Sequence, residues 1–193
     1  MQVQSPDVTQ APEPLDKERM TSRLATRDDI PALEPLMRAA IDELQKGFLD
    51  NAQIRSSHAI MGLDRQLIDD ETYFVIERGG LAVGCGGWSR RAALYGGDHS
   101  GGRDSALLDP SKNAARVRAM YTRPGFTRRG IGRLILALCE SAAAAEGFTR
   151  LELMATLSGR PLYAAAGFEA IEDVLDASGG VPVPLIRMGK DIG

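Results

Sequence analysis

Arg116-Val117-Arg118-Ala119-Met120-Tyr121-Thr122-Arg123-Pro124-Gly125-Phe126-Thr127-Arg128-Arg129-Gly130-Ile131-Gly132-Arg133-Leu134 reads as a strand, a Pro-Gly turn and a basic glycine loop that opens into an amphipathic helix. The first N–H groups of a helix lack intrahelical partners, and the helix dipole adds partial positive charge there. Glycine lets such a backbone come close to a ligand, so the junction is a candidate pyrophosphate cradle. Two other glycine loops do not fit. A P-loop needs four residues between its glycines and then Gly-Lys-Ser/Thr. A dinucleotide fingerprint needs a third glycine where Ile135 stands. The plainer alternative is a strand–helix turn that happens to be basic.

Working outward, Ile131, Leu134, Ile135, Leu138 and Ala142 recur at helical spacing, and Gly147 stands where a C-cap belongs. Thr149 to Met154 alternates as a half-buried strand. Gly159 to Ala166 predicts a short helix, followed by strands from Phe168 to about Leu175 and from Val183 to Met188. Upstream, Ser22 to Thr26 reads as a first strand. Asp28-Asp29-Ile30-Pro31 then opens a helix whose apolar positions run from Leu33 to Leu44. A second helix is expected from about Ala52 to Asp69. Thr72–Glu77 and Leu81–Ser89 form a hairpin around Arg78-Gly79-Gly80, with glycines in its second arm that suggest close backbone approach. Arg90 to Asn113 is a long, glycine-rich, polar connection of the kind that is usually functional or mobile.

A second segment now matters. Arg160-Pro161-Leu162-Tyr163-Ala164-Ala165-Ala166-Gly167-Phe168 follows the loop Thr127-Arg128-Arg129-Gly130-Ile131-Gly132 in order. Together they resemble the GNAT acyl-CoA N-acyltransferase superfamily, whose cofactor loop reads Arg/Gln-x-x-Gly-x-Gly/Ala and whose later segment reads Phe/Leu-Tyr-x-x-x-Gly-Phe. The resemblance covers roughly residues 21–190 and is most specific over 115–170. It implies an α/β (α+β) GNAT fold, a mixed and mostly antiparallel central sheet flanked by helices, occupying residues 21–193. It also implies acetyl-CoA as the acyl-donor co-substrate.

The same resemblance assigns roles. Met120, Tyr121 and Thr122 are expected beside the pantetheine arm, with Met120 also directing the acetyl carbonyl. Arg128, Arg129, Gly130, Ile131, Gly132 and Arg133 are expected around the pyrophosphate. Thr127 departs from the usual Arg or Gln and is too short for that reach, so either Arg128 or Arg129 supplies the charge. Tyr163 is the expected general acid for the departing thiolate, since a phenol of ordinary pKa, about 10, is protonated at neutral pH. Its plainer reading is an aromatic that packs a short helix onto the sheet. Ser158 is a candidate N-cap of that helix. For a general base, Glu77, Asp98, His99 and a water chain all stay open. Trp88, Arg90, Arg118 and Tyr95 are candidates to shape the acceptor pocket, Trp88 equally as core and Arg118 equally as a surface ion pair. Acceptor recognition is expected over Trp88 to Asn113.

Composition narrows the function classes. Of 193 residues, 44% are apolar and 25% charged, which are globular values for one domain. A net charge of −3 argues against a nucleic-acid partner, while the arginines around the glycine loop give a local positive field suited to a small anion. No apolar run reaches the ~18 residues of a membrane span. Residues 1–20 have the Gln, Pro, Asp and Glu content of a disordered lead-in. Cys85 and Cys139 read as buried reduced thiols, which favours a cytoplasmic location. His58 and His99 lack the company of a metal site, so no metal is expected. The expected activity is transfer of an acetyl group to a primary amine, in a small molecule or a peptide, by direct attack in a ternary complex. The alternatives are a non-catalytic CoA-binding or sensor module on the same fold, and a protein-interaction domain that binds no CoA. A homodimer stays open.

Overall fold

The computed structural model describes residues 19–101 and 103–193. Most of the expected lead-in, residues 1–18, lies outside the described residues. Met20 already pairs with Arg78 in the first strand.

Strands β1 (Met20–Leu24), β2 (Tyr73–Arg78), β3 (Leu81–Ser89), β4 (Ala115–Thr122), β5 (Arg150–Thr156), β6 (Glu169–Asp176) and β7 (Val183–Asp191) form one sheet in the order β1-β2-β3-β4-β5-β7-β6. Every neighbouring pair is antiparallel except β4–β5, which is parallel. Helix α4 (Ile131–Ala145) covers one face. On the other lie α1 (Ile30–Leu44), α2 (Asn51–Ile60) and the short α3 (Arg65–Asp69). The short helix α5 (Arg160–Ala165) follows β5. No described helix is long and apolar enough to cross a membrane.

Two departures from the sequence expectation have clear causes. The expected helix over Ala52–Asp69 is two helices. Asp50 caps the first through Ala52 and Gln53 N–H groups, both at 2.8 Å. Met61 then turns extended and Gly62 takes φ +147°, a conformation that favours glycine. Asp64 opens the second helix by accepting from Gln66 N–H. The long connection is also more ordered than its composition suggests. Arg91 bridges Leu107, and Ala92 and Ala93 donate to the Ala106 and Asp104 carbonyls, each at 2.9 Å.

The glycines of β3 set how close α4 can lie. A Cβ on Gly86 would stand 2.8 Å from Ile135 Cγ2, and one on Gly84 would overlap Ile131. With both absent, Ile131 and Ile135 pack onto the strand, each almost fully buried. The start of α4, and with it the glycine loop, is thereby fixed against the middle of the sheet.

Candidate active site

Strands β4 and β5 pair only at Ala115–Leu151 and Arg116–Glu152 among the described residues. Beyond Glu152 they part. The inner edge of β4 then offers backbone groups with no strand to receive them, and buried backbone groups need partners. A ligand strand or an extended cofactor arm meets that need.

A bulge in β4 decides which side chains face which side of the gap. Pairing with β3 jumps from Cys85–Tyr121 to Gly87–Arg118, and Ala119 sits at φ +51°. A non-glycine residue in that region costs about 1–3 kcal/mol unless its surroundings hold it. Here Tyr73, 1% exposed, donates its hydroxyl to the Ala119 carbonyl at 2.7 Å. Because side chains alternate along a strand, the extra residue shifts the alternation. Val117 and Met120 face the α4 core, while Ala119 and Tyr121 pack with the core of the α1 face. Tyr121 is held in turn, its hydroxyl accepting from Gly62 N–H at 2.9 Å.

Past Thr122 the chain is pinned before it reaches the loop. Arg123 donates its backbone N–H to Val83 and its Nε to the Ala82 carbonyl, at 2.9 and 2.8 Å. Its guanidinium therefore serves β3. Arg128, Arg129 and Arg133 are all exposed, and Arg129 lies over the Phe126 ring at 5.2 Å. Gly130 is the N-cap of α4 at φ +83°, with no side-chain cap and no acid in the first turn. The first-turn N–H groups are left open to an anion. Gly130 and Gly132 matter for different reasons. A Cβ on Gly130 would meet nothing within 4 Å, while one on Gly132 would lie 2.6 Å from Leu162 Cδ2. Gly130 keeps the helix end open, and Gly132 lets α5 approach α4.

That approach brings Tyr163 to the gap. Its hydroxyl lies 3.9 Å from Met120 Sδ and its ring packs edge-on against Phe168 at 6.0 Å. Burial, with a lesser effect of the neighbouring Cys139, pushes its pKa up to about 12. The phenol stays protonated across the neutral range. Ser158 is not the cap of α5. Gly159 takes that position, with its N–H donated to Thr156 Oγ1, and Ser158 Oγ lies 3.1 Å from that same oxygen.

A cavity of about 90 Å³ runs through the gap. Met120 and Tyr163 line it from the α4 side. Met61, Tyr95 and Met154 line it from the other, where they pack around Ile60, Val183 and Leu185. Arg118 also lines it, 6% exposed, with Nη2 at 2.5 Å from the Gly96 carbonyl and 2.9 Å from Asp64 Oδ2. Arg103 reaches the same Asp64 oxygen at 2.9 Å.

The other candidates lie elsewhere. Trp88 is core, 2% exposed and edge-on to Phe148 at 6.0 Å. Arg90 stacks over that indole and pairs with Glu146 at 2.6 Å. Both sit on the α4 face beside the paired start of β4, away from the gap. Glu77 is engaged by Arg23 at 2.7 Å, Asp98 by Arg65 at 2.6 Å, and His99 contacts the Ala59 carbonyl. None of these three lines the cavity. Tyr73 and Asp64 escaped the sequence reading, because one looked like an ordinary strand aromatic and the other like a polar position in a long helix.

Comparison with known proteins agrees with this geometry. The profile of the acetyltransferase (GNAT) family matches residues 36–168. Among solved structures, a GCN5-related N-acetyltransferase from Rhodopseudomonas palustris superposes with a TM-score of 0.66 at 16% identity, covering 89% of this chain and 94% of its own. The PaiA N-acetyltransferase of Thermoplasma acidophilum, in complex with coenzyme A, gives 0.62 at 15%, covering 90% and 99%. Salmonella typhimurium yncA, with its cofactor acetyl-CoA, gives 0.59 at 17%, covering 90% and 94%. At such identities these likenesses concern the fold. No protein of curated function matches the chain in sequence.

Proposed function

The chain belongs to the acetyltransferase (GNAT) family, and from that membership we propose that it moves an acetyl group from acetyl-CoA directly to a primary amine, with Tyr163 as proton donor. The observation that carries this reading is a single juxtaposition. An uncapped helix N-terminus with an open Gly130 stands beside parted strands that have a protonated phenol in the gap. The pyrophosphate lies on the first turn of α4, and Arg128 supplies the charge that Thr127 cannot, since Arg129 leans on Phe126. Met120, Tyr121 and Thr122 offer the free edge of β4 to the pantetheine arm.

The amine nitrogen attacks the thioester carbonyl carbon. The C–N bond forms, the C–S bond breaks, and the leaving sulfur takes a proton from the Tyr163 hydroxyl. A phenol of pKa about 12 is a weaker acid than an ordinary thiol at about 8.5, so donation by itself runs uphill. It proceeds when the nitrogen returns its proton to the phenol oxygen in the same event, directly or through water. The net products are the amide and the CoA thiol. Direct transfer is favoured over an acyl-enzyme because both cysteines are fully buried. Burial pushes the Cys85 thiol up to about 12 and raises Cys139 as well, so neither is a competent nucleophile near neutral pH.

Thiol release with acetyl-CoA and a panel of amines tests the reading, alongside calorimetry with CoA. Micromolar CoA binding and amine-dependent release are expected. CoA binding with no release on any amine would remove the enzymatic reading, and no binding at all would remove the donor site.

A further inference from the structure

The side of the cavity facing away from α4 mixes apolar side chains with polar groups such as Tyr95, Tyr121 and Thr156, and has one charged group in its wall. Ile60, Met61, Leu94, Met154 and Leu185 supply the apolar surface, and no carboxylate or histidine lines it among the described residues. The one charge is Arg118, and its hydrogen bonding is incomplete. Both Arg118 and Arg103 reach a single oxygen of Asp64, whose side chain is fully buried, and Arg103 also lies 3.8 Å from Asp98 Oδ1. Both contacts are at ion-pair distance, yet Asp64 Oδ2 accepts no well-aligned hydrogen bond, and Arg118 Nε is buried without a partner. The contacts of Arg118 run through Nη2 alone. A guanidinium is a fork of five donors suited to a carboxylate, so this one has bonding capacity left.

We infer that the acceptor is a free α-amino acid with an apolar side chain, its carboxylate held by Arg118 and its side chain buried among Met61, Leu94 and Leu185. The inference rests on the acetyl-transfer reading above. Three features of the wall select this class. A carboxylate supplies acceptors for the Arg118 donors that Asp64 and the Gly96 carbonyl leave unused. A second cationic group, as in a polyamine, would enter an enclosed space with a cation and no anion, at a large desolvation cost. An apolar side chain recovers transfer energy against Met61, Leu94 and Leu185.

The test compares leucine, leucinamide, glycine, a Leu-Gly-Gly peptide and spermidine as acceptors for the wild-type protein, by thiol release at saturating acetyl-CoA. Leucine is expected to exceed leucinamide and the peptide in kcat/KM by about 10–100-fold, mainly through KM, the worth of a charge-assisted hydrogen-bonded pair. It should exceed glycine by about tenfold or more from apolar burial. Spermidine should not be used. Arg118→Lys keeps a charge beside Asp64 but loses the fork. It should raise KM for leucine about tenfold more than KM for leucinamide, the smaller end of the same pair energy, a selective loss of preference that general loosening of the fold would not produce. Leucinamide, peptide or spermidine used as well as leucine overturns the inference and leaves acetyl transfer standing. Absence of CoA binding would instead overturn the reading beneath it.

Discussion

On the α4 side of the gap, the edge of β4 and the first turn of α4 below Gly130 offer backbone groups, joined by the side chains of Met120 and Tyr163. On the opposite side the lining is mostly of side chains. Arg118 comes from β4, Tyr95 from the long connection and Met61 from the break between α2 and α3, with Asp64 and Arg103 behind Arg118. The first construction suits a ligand that is always the same, because backbone geometry does not vary with side-chain substitution. The second suits a ligand that differs from one protein to the next, because each side chain can be exchanged without disturbing the sheet. On the proposed reading, donor and acceptor chemistry are divided between the two faces and meet where β4 leaves β5.

The largest expected effect falls on the residue standing at the meeting point. Tyr163→Phe keeps the ring against Phe168 and removes the hydroxyl. Turnover should fall by about 10²–10⁴-fold, the usual worth of a placed general acid. CoA affinity and melting temperature should scarcely move. With the phenol at about 12, wild-type rate should also show no loss from Tyr163 ionisation as pH rises from 7 to 10. A structural tyrosine would reverse the pattern, lowering the melting temperature and sparing the rate.

A pair of glycine variants separates cradle from packing. Gly130→Asp puts a negative charge where nothing stands within 4 Å. It should weaken CoA binding by at least about tenfold in calorimetry, at a stability cost of about 1–2 kcal/mol for a left-handed non-glycine residue. Gly132→Ala meets Leu162 at 2.6 Å. It should cost about 1–3 kcal/mol in denaturant unfolding through overpacking, and reduce turnover by displacing α5. If both variants lost CoA affinity equally without losing stability, the distinction between the two glycines would fail.

Tyr73→Phe probes the bulge on which the division of faces depends. It leaves the Ala119 carbonyl without its hydroxyl partner, for a loss of about 1–3 kcal/mol. Turnover should fall more than CoA affinity, because the residues re-aimed by the bulge lie at the reacting end of the gap. Equal loss of both in kinetics and calorimetry would make the bulge merely structural.

The smallest effect serves as a remote control. Arg23 holds the Asp29 carboxyl down at about 2, with help from the Thr26 N–H. The folded value lies below the unfolded one, about 3.9. The stabilisation is therefore complete above about pH 4 and is lost as pH falls towards 2. Because Arg23 is half exposed, the pair contributes about 1 kcal/mol at most. Asp29→Asn should lower the melting temperature slightly at pH 6, converge with wild type near pH 2, and leave turnover unchanged.

The candidate donor half could be proposed from the sequence because its parts are contiguous. Thr122 to Arg133 spells out strand end, turn, glycine cap and helix start in one run, and Leu162-Tyr163 follows in a second. The acceptor half was not, because its network joins residues that no spacing rule connects. Asp64 lay inside what read as one helix, and only Gly62, in a conformation open to glycine, shows why that helix must break. Trp88 and Arg90 read as acceptor residues because they lead into the long connection. Strand alternation puts Trp88 under α4 instead, and Arg90 follows it to Glu146. Arg118 reads equally as an acceptor candidate and as a surface ion pair, and the structure buries it against Asp64 beside the cavity, ahead of a bulge at Ala119 that is invisible in sequence.

Initial rates with acetyl-CoA and an accepted amine, both varied, test the division of faces most directly. Two ligands that enter from opposite sides and meet in the gap must be bound together. The account predicts intersecting double-reciprocal lines, with CoA competitive against acetyl-CoA only. Parallel lines, with an acetylated protein trapped in the absence of amine, would mean that the acyl group first passes to the chain itself, and would contradict direct transfer through the gap.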